Sequence, residues 1–406
     1  MSQPDQTDDR NNALALWFSS IGHFLFHYFA AMYFTIVLAL SHDWQDISYE
    51  NLIALWTPAS ILFGLLALPV GRLADRWSGA KMMIVMFIGM GLACALSGLA
   101  QGTLSLMLLM ATIGVFGAIY HPVGIPWLIR NSRGRAGIKL AVNGVFGGLG
   151  SAAAGGLTGV LIAGFGWRWA FILPGLFCVG VGLIMLIYLL RGRLPRAGTD
   201  CSGAGGKDGK GNLPAFMLMM APMFTIGLVY NVTQTSMPKL FEEGMEAWLA
   251  GDIVRIGFAV TLVYVIGAAM QLIGGLLADR FSWKLIYALG WLSQIPMLLL
   301  MASFGEATLF LAAMMLVVVN TGALPAENLM LSRFAPAQHQ GLAFGVKFVL
   351  AFTSAPLAIW LIKISREWVG DFSGILLGLS VMVALMIPLL WFLPDERSPR
   401  PVTEAG

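Results

Sequence analysis

Residues 71–81 read GRLADRWSGAK, and residues 275–284 read GLLADRFSWK. The aspartates of these two charged phrases, Asp75 and Asp279, stand 204 positions apart in a chain of 406 residues. A phrase repeated at half the chain length marks an internal duplication. The register holds elsewhere: Gly137 and Gly341 are also 204 apart, and Pro122 with Arg130 matches Pro325 with Arg333 at 203. The chain therefore reads as two parallel repeats.

What surrounds the phrases sets the class. Hydrophobic residues make up 58% of the chain, charged residues only 11%, and the mean hydropathy is +0.79. A soluble domain carries about 25% charged residues, so this is a membrane protein. Apolar runs of about 20 residues, the length that crosses a bilayer as helix, occur twelve times. They cover 13–40, 50–71, 82–100, 103–129, 138–163, 168–190, 214–238, 252–278, 285–303, 306–330, 341–365 and 371–393. The polar, glycine-rich segment 191–213 suits a flexible linker. The expectation is an all-α membrane protein of twelve transmembrane helices in two pseudo-symmetric six-helix bundles, 1–190 and 214–406. The first apolar run follows a polar, acidic start and exceeds the roughly 7 to 15 residues of a signal-peptide core, so it is expected to remain as a span. Cys94, Cys178 and Cys201 have no paired spacing, which indicates neither a disulfide framework nor a zinc site.

Orientation follows from the basic residues. With both termini in the cytoplasm, 18 lysines and arginines lie on the inner side. Five lie on the outer side, Arg168, Lys239, Arg255, Lys363 and Arg366, and Lys347 falls within a span. That asymmetry is the positive-inside pattern. Asp43, Asp46, Glu242, Glu243 and Glu246 collect in the opposite loops. Both charged phrases then fall in the inner loop after the second span of each half.

Twelve spans, two parallel repeats and the loop phrase Gly71, Asp75, Arg76, Gly79, Lys81 together resemble the major facilitator superfamily of secondary transporters, over nearly the whole chain. GWRWAF at 166–171 is similar to a common start of that superfamily's sixth helix. GHFLFH at 22–27, YHPVG at 120–124 and the glycine-rich run from Gly144 to Gly159 most resemble its fosmidomycin-resistance branch of proton-coupled drug exporters. The resemblance implies alternating access of two halves about a midplane site. It also implies a loop latch in which Asp75 faces the start of the eleventh helix near Gln340 and Gly341, with Arg130 or Arg133 close by. Asp279, with Arg280 and Arg333, would act reciprocally at the start of the fifth helix near Gly137, although Trp283 replaces the second glycine. A carboxylate at a helix N-terminus contributes about 0.3 to 1 kcal/mol, enough to bias an equilibrium. The alternative is that these charges only fix topology and hairpin ends.

The resemblance has departures. Superfamily antiporters commonly carry a Gly-Pro pair in the fifth helix, where this chain has Ser151 and Ala152, with Ala355 and Pro356 at the same offset in the second half. Fosmidomycin-resistance sequences tend to have Asn-Asp where Phe26 and His27 stand. The run Asn143 to Gly159, with Gly147, Gly155 and Gly156, allows close helix packing.

Ionisable groups inside spans are functional candidates by default, because burying each costs about 2.5 to 3.5 kcal/mol on insertion scales. His23 and His27 share a helix face, and His121 precedes Pro122. Glu327 and Lys347 each sit roughly 9 to 10 Å from the inner end at 1.5 Å per residue, at matching depth. The resemblance puts the first, fourth, seventh and tenth helices around the central cavity, and with them His23, His27, His121, Asn231, Gln234 and Glu327; Asn143 and Lys347 join this set. A histidine titrates near neutral pH and a buried carboxylate can be raised into that range, so either type can carry a coupled proton. At 100 mV one proton supplies about 2.3 kcal/mol, a substrate gradient of roughly 40-fold. The competing readings are a purely structural Glu327–Lys347 pair and histidines that only hydrogen-bond their neighbours. A two-histidine metal site fits i, i+4 spacing, but no thiolate or carboxylate stands nearby in sequence, so no metal is expected.

The sequence shows no nucleotide loop, nucleophile motif or metal-ligand cluster, which argues against an enzyme. The expected function is proton-coupled efflux of a small organic molecule. An uncoupled facilitator or importer, and a non-transporting membrane sensor, remain as alternatives. The expected partners are a small-molecule substrate, protons and the lipid bilayer, with no nucleic acid and no cofactor. The protein is expected to act as a monomer in a bacterial inner membrane.

Overall fold

The computed structural model describes residues 6–74, 76–132, 136–194, 211–303, 305–336 and 340–395. Among them run twelve helices long and apolar enough to cross a membrane: α1 Ala13–Asp43, α2 Tyr49–Ala74, α3 Gly79–Ser97, α4 Thr103–Arg130, α5 Ile138–Phe165, α6 Trp167–Leu190, α7 Leu213–Gly244, α8 Ile253–Ala278, α9 Trp283–Ser303, α10 Glu306–Phe334, α11 Ala343–Val369 and α12 Ser373–Trp391. No strand occurs among the described residues. Lipid offers no hydrogen-bond partners, so each span must satisfy its own backbone, and a helix does so within one segment.

Each helix lies close to its apolar run, and the differences fall at the ends. The apolar signal of α7 stops before Lys239, yet the helix continues to Gly244. Lys239 pairs with Glu242 and, at 3.5 Å, with Glu243, one turn further on. Such i, i+3 and i, i+4 pairs sustain helix beyond the hydrophobic stretch.

The duplication is repeated in the packing. In the first half α1 packs on α5, α2 on α4 and α3 on α6; in the second α7 packs on α11, α8 on α10 and α9 on α12. The halves meet where α5 crosses α8 and α2 crosses α11, with α1 against α7 between them. Glycines permit the α5 crossings. A Cβ on Gly155 would sit 2.5 Å from the Gly257 carbonyl oxygen of α8, and one on Gly150 would sit 2.2 Å from the Phe24 carbonyl oxygen of α1. Gly156 closes on Thr261, whose hydroxyl donates to the Ala152 carbonyl at 2.6 Å. Small residues bring helix backbones together in this way.

Two spans are irregular. α2 consists of three helical segments, Tyr49–Ala54, Thr57–Leu65 and Ala67–Ala74. α4 is interrupted by a π turn at Tyr120–Gly124 around Pro122. Proline lacks the N–H that the ladder needs and crowds the preceding turn, so the helix widens there.

The chain leaves one end of the bundle basic, with Arg72, Arg76, Lys81, Arg130, Arg280 and Arg333, and the other acidic, with Asp43, Asp46, Glu50, Glu243 and Glu246.

Candidate functional site

Two polar clusters lie inside the bundle, one in each half. The first is built on α1, the π turn of α4, and α5. His23 and His27 are one helical turn apart, and their Nε2 atoms are 3.1 Å from each other. His23 Nδ1 donates to the main-chain carbonyl of Asn143 at 2.8 Å, which leaves its Nε2 as an acceptor, so His27 Nε2–H donates across the pair. Gly147 makes room for the His23 ring: a Cβ there would lie 2.6 Å from it. The helix-packing role expected for Gly147 is thus a cradle for an imidazole.

The π turn directs Tyr120 and His121 inward. Tyr120 stacks on His23 with ring centroids 4.9 Å apart, and its hydroxyl donates to the Ser19 carbonyl at 3.0 Å and accepts from Asn143 Nδ2 at 2.9 Å. His121 is buried, and neither of its ring nitrogens has a hydrogen-bond partner among the described residues. Phe348 of α11 stacks on its ring at 4.7 Å and Phe26 meets it edge-on at 4.7 Å. The ligand nitrogens of His23, His27 and His121 all lie within 4.8 Å of one another. A third nitrogen donor beside the histidine pair is invisible along the chain near residue 27; the fold supplies it from α4.

The second cluster joins α9, α10 and α11. Lys347 Nζ lies 2.6 Å from Glu327 Oε1, off the hydrogen-bond direction, so the contact is between charges; its hydrogen bond goes to Asn328 Oδ1 at 2.6 Å. Tyr287 donates to Glu327 Oε2 at 2.9 Å, and Glu327 is fully buried. Glu327 thus has a cation on one oxygen and a phenol on the other, the compensation a buried carboxylate requires.

The remaining sequence candidates separate. Gln234 donates to the Tyr230 hydroxyl at 2.9 Å and reaches Ser151 of α5 at 3.4 Å, so it links the halves. Asn231 is engaged at a helix crossing. Its amide nitrogen is shared among the Gly227 carbonyl, the Ala351 carbonyl and Ser354 Oγ, which commits it to the α7–α11 crossing. Of the loop latch, Asp75 and Arg133 lie outside the described residues, as do the side chains at 137, 340 and 341. Gly71 abuts Pro122 and Gly79 abuts Trp127, while Arg76, Lys81, Arg130, Asp279, Arg280 and Arg333 are exposed at the basic end. Cys94 and Cys178 are buried free thiols that donate to the carbonyls of Phe171 and Phe87, and Cys201 lies outside the described residues.

One connection was not legible beforehand. At the acidic end Arg366 of α11 takes Glu50 of α2 through Nε and Glu243 of α7 through both terminal nitrogens, at 2.8 and 3.0 Å. Lys363 adds a bond to Asn51 of α2 at 3.0 Å. Arg366 and Lys363 read in sequence only as minority charges of the acidic side. An open depression of about 580 Å³, lined by Asp43, Trp44, Asp46, Gln101 and neighbours, lies at this end in the loops of the first half.

The sequence profile of the Major Facilitator Superfamily matches residues 16–346. The chain is 24% identical over 382 residues to the membrane sensor protein UhpC of Salmonella typhimurium, covering 85% of this chain and 83% of that one. It is 28% identical over 176 residues to the multidrug resistance protein MdtG of Dickeya zeae, covering 41% of this chain and 43% of that one. Three further curated relatives are matched over 56%, 27% and 28% of their lengths. The crystal structure of a D-xylose-proton symporter superposes with a TM-score of 0.71 at 15% identity, covering 94% of this chain and 97% of that one.

Proposed function

We propose that this chain, which belongs to the Major Facilitator Superfamily, is a secondary transporter that exports a small organic molecule by alternating access, coupled to protons. The observation that carries the coupling is the buried pair of Glu327 and Lys347 with Tyr287 on the second carboxylate oxygen. Protonation of Glu327 removes the attraction that holds Lys347 against α10. Lys347 then keeps only its hydrogen bond to Asn328 on α10 and follows α11 more readily; α11 also carries the phenylalanines packed on His121. A proton on one group is thereby linked to the position of a helix at the interface between halves. Family membership supports vectorial movement of a solute over a covalent transformation.

Three features support the finer reading. The rings of Phe26, Phe63, Phe348 and Phe352 pack together between the halves, a lining suited to an apolar or aromatic solute. A relative named for multidrug resistance supports export. The basic end, where α1 starts and α12 ends, supports a cytoplasmic placement of the termini, in a bacterial inner membrane. At the acidic end, Arg366 with Glu50 acts as the gate of the outer side.

A second reading rests on the similarity to UhpC, a protein named as a membrane sensor, over most of both chains. A sensor would bind solute without moving it.

The test is proton flux in proteoliposomes holding a pH gradient, read with an internal pH dye while phosphonates, cationic drugs and sugars are added. A compound that dissipates the gradient with the natural protein, and fails to do so with Glu327→Gln, supports coupled transport through this carboxyl. Solute equilibration indifferent to pH would sink the coupling. Saturable binding with no flux of any compound would favour the sensor.

A further inference from the structure

We infer that His23, His27 and His121 form a binding site for a single divalent transition-metal ion of the zinc class. The inference stands on geometry and does not depend on whether the protein moves solutes.

Three features of a metal site coincide. First, three nitrogen donors from two helices converge within 4.8 Å. Tetrahedral coordination with metal–nitrogen distances of about 2.0 to 2.1 Å requires donors about 3.3 Å apart. His23 and His27 already stand at 3.1 Å, and His121 needs to approach by about 1.5 Å, a side-chain adjustment. Second, the orientation of His23 is set from behind. Its Nδ1–H is held by the Asn143 carbonyl at 2.8 Å, and the Gly147 cradle fixes the ring plane, so its Nε2 lone pair points into the cluster. A ring nitrogen held by a backbone carbonyl is the usual outer support of a metal-ligating histidine. Third, His121 is buried with both nitrogens unpartnered among the described residues, and a buried polar group without a partner asks for an explanation. A metal ion supplies it. The π turn that presents His121 costs helix hydrogen bonding, and such turns gather at functional sites.

The donor set decides the class of ion. Imidazole nitrogens suit zinc, copper, nickel and cobalt and do not suit magnesium or calcium, which take oxygen ligands. Binding requires His27 to shift its proton to Nδ1, so that its Nε2 changes from donor to ligand. Three neutral nitrogens leave the charge of the ion uncompensated and a fourth position open, which an anionic group or hydroxide fills.

The test uses the full chain purified in detergent with a tag that contains no histidine. Cobalt(II) titration followed by visible absorption, and zinc-65 equilibrium dialysis, measure the site directly. The expected result is about one ion per chain with the intense visible bands of a four-coordinate cobalt site. Affinity falls about 100-fold or more in His27→Asn and in His121→Asn, while His42→Asn, at the acidic end, changes nothing. Circular dichroism and a monodisperse elution profile establish that each variant folds. Zinc should raise the melting temperature of the natural protein and leave that of His121→Asn unmoved. No binding to the natural protein, or binding of equal affinity in both site variants, overturns the inference. Neither result bears on transport, which the proton-flux assay measures separately.

Discussion

Replacing Glu50 with Gln should loosen the acidic end of the molecule without unfolding it. Glu50 belongs to the first half and Arg366 to the second, so their pair ties the halves, while the Glu243–Arg366 pair stays within the second half. Both side chains of the tie are largely shielded, with 16% and 11% of their surfaces exposed. Hydrogen bonds to charged groups contribute about 1.5 to 3 kcal/mol. Glutamine keeps the length and one acceptor oxygen, Arg366 keeps Glu243, and the Lys363–Asn51 bond persists, so the lower figure applies. A loss of about 1.4 kcal/mol shifts a two-state ratio tenfold. Spin labels at Gln101 and Trp248, exposed at the acidic end of opposite halves, report the opening by pulsed electron resonance in a background with Cys94, Cys178 and Cys201 replaced. The ratio of long to short distances should rise about tenfold, and Arg366→Gln should raise it further, because Glu50 then has no cation and faces Glu243, which keeps only Lys239 at 3.5 Å. Unchanged distance distributions in both variants, with normal melting, would refute the gate.

Other outcomes follow from the same packing. Glu327→Ala should destabilise the protein by about 3 to 5 kcal/mol by leaving Lys347 partly buried without its counter-charge, and the double variant with Lys347→Ala should recover most of that loss in thermal melts. Gly150→Ala should cost about 1 to 3 kcal/mol and lower the melting temperature, because the added carbon would lie 2.2 Å from the Phe24 carbonyl oxygen; Gly180→Ala, which meets nothing within 4 Å, should not. Asn231→Ala should lower stability while leaving solute affinity unchanged in binding assays, since its amide is consumed by the α7–α11 crossing.

Much of the fold was legible because lipid simplifies the problem. A span must be a helix, its length is set by the bilayer, and the charges between spans mark the ends. Reading failed in small ways where helix outran hydrophobicity, as at Lys239 to Gly244, because pairs of opposite charge on adjacent turns carry no apolar signal. The candidate site was legible as a roster of residue types. His23, His27, His121, Glu327 and Lys347 stood out because an ionisable group in a span needs a reason. Asn231 belongs to the same roster, but its amide nitrogen is held by α11 at a helix crossing, a placement that residue type does not reveal. Tyr287 and Arg366 carry no such signal, since a tyrosine in an apolar helix and a basic residue near an acidic loop are each unremarkable until their partners are known.

The sequence by itself determined the number of spans, the duplication at 204 positions, the family resemblance and the charge difference between the two ends. Each is written in local composition or in a repeat, and none of the four needs a contact to be read. Only the tertiary structure decided which polar groups meet. His121 joins a pair 94 and 98 positions earlier in the chain, Lys347 reaches Glu327 on the preceding helix, and Arg366 finds Glu50 in the other half. Those meetings depend on helix crossings allowed by single glycines and on the rotation of each helix about its axis. A rotation of one residue, about 100° on a helix of 3.6 residues per turn, would turn any of these side chains away while leaving the apolar pattern nearly unchanged.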